Sequence, residues 1–306
     1  MSEGVSQDVN EDGGFEAIAR EIGAQLGSDC APEPEGAVSG GSIHRCYRWR
    51  CGDTLLFVKV ADRSGGAGLE AEATGLQTLA AAQAVRVPRV LARGSAGPTL
   101  FLALEWIESR PAGRAAEHSL GELLAAQHRV TAAEFGFADD NFIGRTRQAN
   151  GWLGDWSEFF REQRLRPQLA LAAQNGFAPL LEQPGARLLE SLAALLANHR
   201  PVASLLHDDL WVGNWLADEQ AAPVIFDPAV YYGDREADLA MTRLFGGFGR
   251  AFYDAYQTVA PLPAGHAVRA ELYNLYHVLN HANLFGGAYG RQARASIDRL
   301  LAEVRG

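Results

Sequence analysis

The sequence predicts an α+β protein of two lobes, a small β-rich N-terminal lobe and a larger, mainly helical C-terminal lobe. Three features carry that expectation. Residues 37–60 read as strands, a second strand-like run, PTLFLALEW, ends at Trp106, and beyond Glu108 the apolar residues recur mostly with helical period. The expected organisation is a flexible tail over 1–14, a first lobe over 15–107 and a second over 108–306, with a cleft between the lobes.

Each element follows from local chemistry. Residues 1–14 are polar, acidic and glycine-bearing, which suits a frayed tail. Phe15, Ile18, Ala19, Ile22 and Leu26 then recur at helical spacing and predict a helix over 15–26. From Ala37 to Val60, VSGGS and CGD read as turns, and TLLFVKV is apolar and β-branched enough for a central strand. The loop RSGGAG precedes LEAEATGLQTLAAAQ, a run of good helix formers, and Val87-Pro88 breaks the chain before PTLFLALEW. Helices are expected over 117–131, 155–175, 178–199, 235–258 and 265–304. They are interrupted by SLLHDDLWVGNWL (204–216) and PVIFDP (223–228).

Composition narrows the function. The 306 residues carry a formal charge of −10, so there is no general basic face for phosphate backbones, and a nucleic-acid partner is not expected. The N-terminal stretch MSEGVSQDVNEDGG lacks a basic region followed by an apolar one. No run reaches the roughly eighteen apolar residues of a membrane span. A cytoplasmic protein without a membrane partner is the expectation. Cys30, Cys46 and Cys51 lack the CxxC spacing of a zinc site and are expected to be reduced and structural.

The chemistry concentrates in SLLHDDLWVGNWL. His207, Asp209 and Asn214 fit H-x-D-x-x-x-x-N, a phosphotransferase catalytic loop in which the Asp accepts the proton of the attacking hydroxyl and the Asn holds Mg²⁺. Asp208, Asp209 and Asn214 also suit a plain turn, because Asp and Asn are turn residues. Context separates the two readings. Asp227 follows the apolar run VIF, where a kinase-like fold carries its second metal ligand, although Asp227-Pro228 also reads as a strand exit. Lys59 stands inside LLFVKV, and strand alternation places Leu55, Phe57 and Lys59 on one face. If that face lines the cleft, Phe57 covers an adenine and Lys59 reaches phosphates; otherwise Lys59 snorkels outward. A buried lysine needs an anion. Glu70 and Glu72 point about 200° apart around a helix, so one of them faces the lysine, and Glu72 is the expected partner. Gly40 and Gly41 suit a phosphate-binding turn or a simple hairpin. Together these residues predict a bilobal protein-kinase-like fold using ATP and Mg²⁺.

Longer motifs resemble the fructosamine kinases, or ketosamine-3-kinases, which share the fold of aminoglycoside and choline phosphotransferases. The resemblance lies in HDDLWVGNW, FDPAVYYGDREADLAMTRLFGGF (226–248), DNFIG (140–144), FFREQRLRPQL (159–169), LEAEATGL and LNHANLFGGAY (279–289). It spans about residue 15 to the C-terminus. It implies ATP-dependent phosphorylation of a ketosamine hydroxyl, the 3-hydroxyl, which releases the glycated amine. It also implies Asp209 as base, Asn214 and Asp227 as metal ligands, and Lys59 with Glu72 as the phosphate-orienting pair. Gly40 and Gly41 fall in the phosphate loop, and the backbone around Glu105 and Trp106 meets the adenine. Two positions depart from the pattern: Asp208 stands where the family usually has Gly, and Asp234 where His is common. The first motivates a pseudokinase as an alternative, beside a kinase for another small amine or amino-sugar.

Further residues have two readings. Trp211, Trp215, Tyr231 and Tyr232 either stack on a sugar or belong to the core, and Asp208 and Asp234 either attract a cationic amine or are structural. Asp238 is expected to pair with Arg235 or Arg243. His277 and His281 lie four apart on a helix, but no third metal ligand accompanies them, and packing is expected.

Overall fold

Alternating apolar residues give the N-terminal unit its core. In a computed structural model describing residues 11–27, 31–38, 44–63 and 65–304, helix α1 (Glu11–Leu26) lies on one face of an antiparallel sheet. The sheet joins β1 (Glu33–Ala37), β2 (Arg45–Cys51), β3 (Thr54–Ala61), β4 (Val90–Ala96) and β5 (Thr99–Glu105) in the order β1-β2-β3-β5-β4. Leu56, Val58 and Val60 of β3 pack with Ile18, Ile22, Trp49 and Phe101 beneath α1. Lys59 points to the other face, toward α2 (Gly66–Ala82). As expected, β3 is central, pairing Lys59 with Cys46 of β2 and with Leu102 of β5.

The first helix begins at Glu11, inside the stretch expected to be a tail; residues 1–10, Cys30 and the Gly40-Gly41 turn lie outside the described residues. The chain forms two compact units, one running to Gln77 and resuming over Pro88–Ile107, the other made of Thr78–Val87 and Glu108 onward. The expected first lobe therefore gives up 78–87. The reason is Arg86, whose backbone oxygen accepts the Ile225 N–H at 3.0 Å and whose guanidinium pairs with Asp218.

In the second unit, β6 (Ser109–Arg110) and α3 (Arg114–Gln127) precede short strands β7 (Thr131–Ala132), β8 (Asn141–Ile143) and β9 (Thr146–Gln148). The helix expected over 155–175 is α4 (Trp156–Phe159), a π-helical segment (Phe160–Leu165), α5 (Arg166–Ala172) and a second π-helical segment (Ala173–Phe177). Next come α6 (Ala178–Leu195), β10 (Ala203–Leu206), β11 (Trp215–Asp218), β12 (Pro223–Ile225) and β13 (Tyr231–Gly233). The single helices expected over 235–258 and 265–304 are each two: α7 (Arg235–Leu244) with α8 (Arg250–Val259), and α9 (His266–Phe285) with α10 (Tyr289–Glu303). Glycine pairs cause both breaks. Gly246 and Gly247 have φ of 102° and 72°, and Gly286 and Gly287 have 68° and 62°, a left-handed backbone that cannot continue a helix. No helix among the described residues is long and apolar enough to cross a membrane.

Candidate active site

In the first unit, the Lys59 ammonium lies 2.8 and 2.9 Å from the two carboxylate oxygens of Glu72. Both residues are buried, at 5% and 8% exposure, so each charge depends on the other. Glu70 instead approaches Arg93 at the surface, at 3.5 Å. On the lysine's face of the sheet, the Phe57 ring lies 6.2 Å from that of Trp106, and the Arg48 guanidinium sits 4.9 Å over Trp106. The N–H groups of Glu105 and Trp106 donate to Arg89 and Leu55 within the sheet.

In the second unit, β10 delivers His207, Asp208 and Asp209 at its end, and β11 opens one residue after Asn214. The Asn214 amide nitrogen donates to the Asp209 backbone oxygen at 2.8 Å and to its Oδ2 at 3.1 Å. That commitment leaves the amide oxygen as the group Asn214 offers a cation. His207 links this loop to the next. Its Nδ1 accepts the Asp209 N–H at 3.3 Å, and its Nε2–H donates to the Phe226 oxygen at 3.0 Å, beside Asp227. One ring nitrogen must accept and the other donate, so the imidazole is neutral, and burial lowers its pKa in the same sense. Asp227 has φ of 57°, unusual before a proline, and it is bracketed by bonds from Phe226 N to Asn214 O and from Ala229 N to His207 O.

Beneath the loop lies Asp238 of α7. Its carboxylate accepts the His207 N–H at 2.8 Å and the Asp208 N–H at 2.6 Å, with His128 Nε2 at 3.1 Å. Burial alone would raise its pKa, but the His128 bond and neighbouring imidazoles hold it below the ordinary carboxylate value. Asp238 is structural, as expected, but its partners are these and not the arginines. Arg235 bonds Tyr256 and the carbonyls of Ala260 and Pro261, and Arg243 lies over the Tyr253 ring. The part played by His128 left no motif in the sequence.

Asp209 is half-buried, and burial first, then the charges of Asp208 and Asp227, push its pKa well above the usual range. Such crowding of carboxylates, with an amide oxygen beside them, is a hard-oxygen donor set, and it fits a divalent cation.

Three substrate candidates belong to the interior. Asp208 is 1% exposed, so its carboxylate neither meets solvent nor lies at the loop's mouth. Its φ of 64° lies in the left-handed region that favours glycine and that Asp tolerates better than most residues. Tyr231 is 1% exposed, stacked on Phe159 at 5.5 Å. Asp234 caps α7 through the Glu236 N–H and bonds His199 and the Tyr273 hydroxyl, each at 2.6 Å. Trp211 remains at the surface of the loop, half-buried and edge-on to Phe245.

Among the described residues, His199, Asp234 and Glu236 gather ligand atoms within 4.8 Å. Arg269 already holds Glu236 with two bonds of 2.7 and 2.8 Å, so the cluster is an ion-pair network. His277 is buried, its pKa lowered to about 3 by burial, and His281 donates to the His277 backbone, so these imidazoles do not converge on a metal.

The fructosamine kinase family model matches residues 14–303. A probable ketoamine kinase of Synechocystis sp. is 41% identical over 96% of this chain and 99% of its own length. The chloroplastic protein-ribulosamine 3-kinase of Arabidopsis thaliana is 40% identical over 88% of this chain and 83% of its own. A crystal structure of a fructosamine-3-kinase candidate from Haemophilus somnus superposes with a TM-score of 0.87 at 26% identity, covering 96% of this chain and 100% of that one. The fold extends to an aminoglycoside phosphotransferase, TM-score 0.60 at 16% identity over 94% and 99% of the two chains. On the match to nearly its whole length and on these relatives, the chain belongs to the fructosamine kinase family.

Proposed function

We infer that the chain is an ATP-dependent ketosamine kinase that phosphorylates the 3-hydroxyl of a fructosamine or ribulosamine, in a reaction that leads to release of the glycated amine. In a chain of this family, the contact between Asp209 and Asn214 beside Asp227 carries the reading. Asn214 holds Oδ2 of Asp209, so Oδ1 is the oxygen that takes the substrate proton. The sugar oxygen attacks the γ-phosphorus, the bond to the β-phosphate oxygen breaks, ADP leaves, and the hydroxyl proton passes to Asp209. The raised pKa of Asp209 makes it a better proton acceptor than an exposed carboxylate. Lys59, aligned by Glu72, orients the α and β phosphates, with Phe57 and the segment at Glu105 and Trp106 around the adenine. Asn214 and Asp227 are the residues that hold Mg²⁺, which when bound neutralises phosphate charge. Trp211 offers its ring to the sugar. Lys59 and its neighbours thus serve the nucleotide, and the loop from Asp209 to Asn214 serves the acceptor.

The test is a panel of fructosyl-, ribulosyl- and erythrulosyl-amines with labelled ATP, run beside Asp209→Asn. Label should pass to at least one ketosamine with the wild-type protein and not with the variant. Retention of all label in ATP, or equal transfer by both proteins, would refute the assignment.

A further inference from the structure

The motif DNFIG (140–144) has no part in the reaction as described, yet it is tied to the segment that carries Asp227. Strands β8 and β9 form a hairpin whose turn is allowed by Gly144, with φ of 63°, and Asp140 closes its open end by accepting the Asn150 N–H at 2.8 Å. Asn141 and Gln148 face each other directly across the hairpin and are 5% and 1% exposed. The Gln148 amide nitrogen donates to Asn141 Oδ1 at 3.0 Å and to the Ala229 carbonyl at 2.9 Å, and the Asn141 amide nitrogen donates to the Val230 carbonyl at 2.7 Å. Each amide is fixed in orientation by what its oxygen accepts. Gln148 Oε1 takes the Tyr276 hydroxyl, and Asn141 Oδ1 takes a second bond from Asn150, whose own oxygen accepts from the buried Arg164 guanidinium at 2.7 Å.

We propose that this hairpin is a clamp for Asp227, with Gln148 as its positioning residue. Asp227 holds φ of 57° directly before a proline, a conformation that persists only where the chain is fixed on both sides. Upstream, the Phe226 N–H donates to the Asn214 oxygen at 3.0 Å and the Phe226 oxygen accepts from His207. Downstream, the Ala229 N–H donates to the His207 oxygen at 2.9 Å, and the amide pair holds the next two carbonyls. Deleting the Gln148 amide leaves the Ala229 carbonyl buried without that donor, so the peptide turns to find another. Pro228 has a locked φ and cannot absorb the rotation, which therefore reaches Asp227. The proposal rests on the reading of Asp227 as a Mg²⁺ ligand.

The experiment compares wild type, Gln148→Met, Asp227→Ala and Leu188→Ala, the last a core truncation in α6 that destabilises the same unit. Mn²⁺ binding in the presence of ADP is followed by electron paramagnetic resonance, exchange of the Ala229 N–H by NMR, and turnover of a fructosyl-amine against Mg²⁺ and against the sugar. Gln148→Met should weaken Mn²⁺ binding and raise the apparent KM for Mg²⁺ by about fivefold or more, with kcat at saturating Mg²⁺ within about threefold and KM for the sugar within about twofold of wild type. Exchange of the Ala229 N–H should be faster by about tenfold. Leu188→Ala should leave Mn²⁺ binding as in wild type. Unchanged Mn²⁺ binding or unchanged Ala229 exchange in Gln148→Met, or an equal loss of Mn²⁺ binding in Leu188→Ala, overturns the clamp. If Gln148→Met does not fold, Tyr276→Phe decides, since it removes only the hydroxyl that fixes the amide: Mn²⁺ binding weaker by about twofold or more supports the clamp, and wild-type binding overturns it. Asp227→Ala binding Mn²⁺ as wild type does would sink the metal reading of Asp227, whatever the exchange shows. Wild type that binds Mn²⁺ and transfers no label would sink the kinase reading alone.

Discussion

Asp238→Asn isolates what holds the catalytic loop from below. The carboxylate serves three donors at 2.6, 2.8 and 3.1 Å, namely the Asp208 and His207 N–H groups and His128. An asparagine has one acceptor oxygen. It can keep one loop N–H, but its NH₂ then faces another N–H, and donor meets donor. Hydrogen bonds to a charged acceptor contribute about 1.5–3 kcal/mol each. Losing one of the two loop bonds, offset in part by the relief of burying a neutral group, should cost about 2–3 kcal/mol of loop order. At about 1.4 kcal/mol per factor of ten, kcat/KM is expected to drop roughly 30- to 100-fold. Steady-state kinetics on a ketosamine, with circular dichroism and unfolding in parallel, measure this directly. A variant within about threefold of wild type in kcat/KM, equally folded, would mean that the loop holds its shape without Asp238.

Three further outcomes are expected. Glu72→Ala leaves the Lys59 ammonium buried without its carboxylate, which should lower stability by about 3–5 kcal/mol in urea unfolding and raise KM for ATP; an unchanged midpoint would contradict the pairing. On the proposed role of Asp227 in holding Mg²⁺, Asp227→Ala should reduce kcat below about 1% of wild type while the melting temperature stays within a few degrees, because it deletes a half-buried carboxylate from a crowded acidic site. Folding also depends on pH through His277, whose folded pKa of about 3 lies below its ordinary value of 6.5. The unfolded chain binds the extra proton in that interval, so stability is full above 6.5 and declines as pH falls toward 3, by on the order of 3 kcal/mol at pH 4. His277→Gln should flatten the pH dependence of the urea midpoint, and an unaltered slope would show that His277 does not carry it.

The parts of the site legible in the sequence were those whose chemistry is local. Lys59 in an apolar strand demands an anion, and the 100° step of a helix allows one of Glu70 and Glu72 to supply it. His207, Asp209 and Asn214 fall within one turn-sized segment, so their spacing alone suggested a shared task. Asp208 was misplaced because its surroundings come from afar: Arg164 stands on another helix, and Tyr231 on a strand beyond Asp227. His128 lies 110 residues from the aspartate it binds, and no periodicity reports such a pairing. The breaks after Leu244 and Phe285 were written in the sequence as paired glycines, but the apolar residues around them kept helical spacing and hid the interruption.

The start of α7 bears three acidic residues two positions apart, and each is tied to a different part of the second unit. Asp234 is tied to His199 and Tyr273, Glu236 to Arg269 of α9, and Asp238 to the catalytic loop. Two residues along a helix is a rotation of about 200°, so Glu236 and Asp238 pull in nearly opposite directions while the cap fixes the position along the axis. Rolling the helix either way stretches one tether, and sliding it breaks the cap. That removes the rigid-body freedoms of the element beneath Asp209. Fluctuations of the second unit on the timescale of turnover should therefore reach Asp209 only as small in-place vibrations, and its backbone amide should be among the slowest of the loop to exchange its hydrogen.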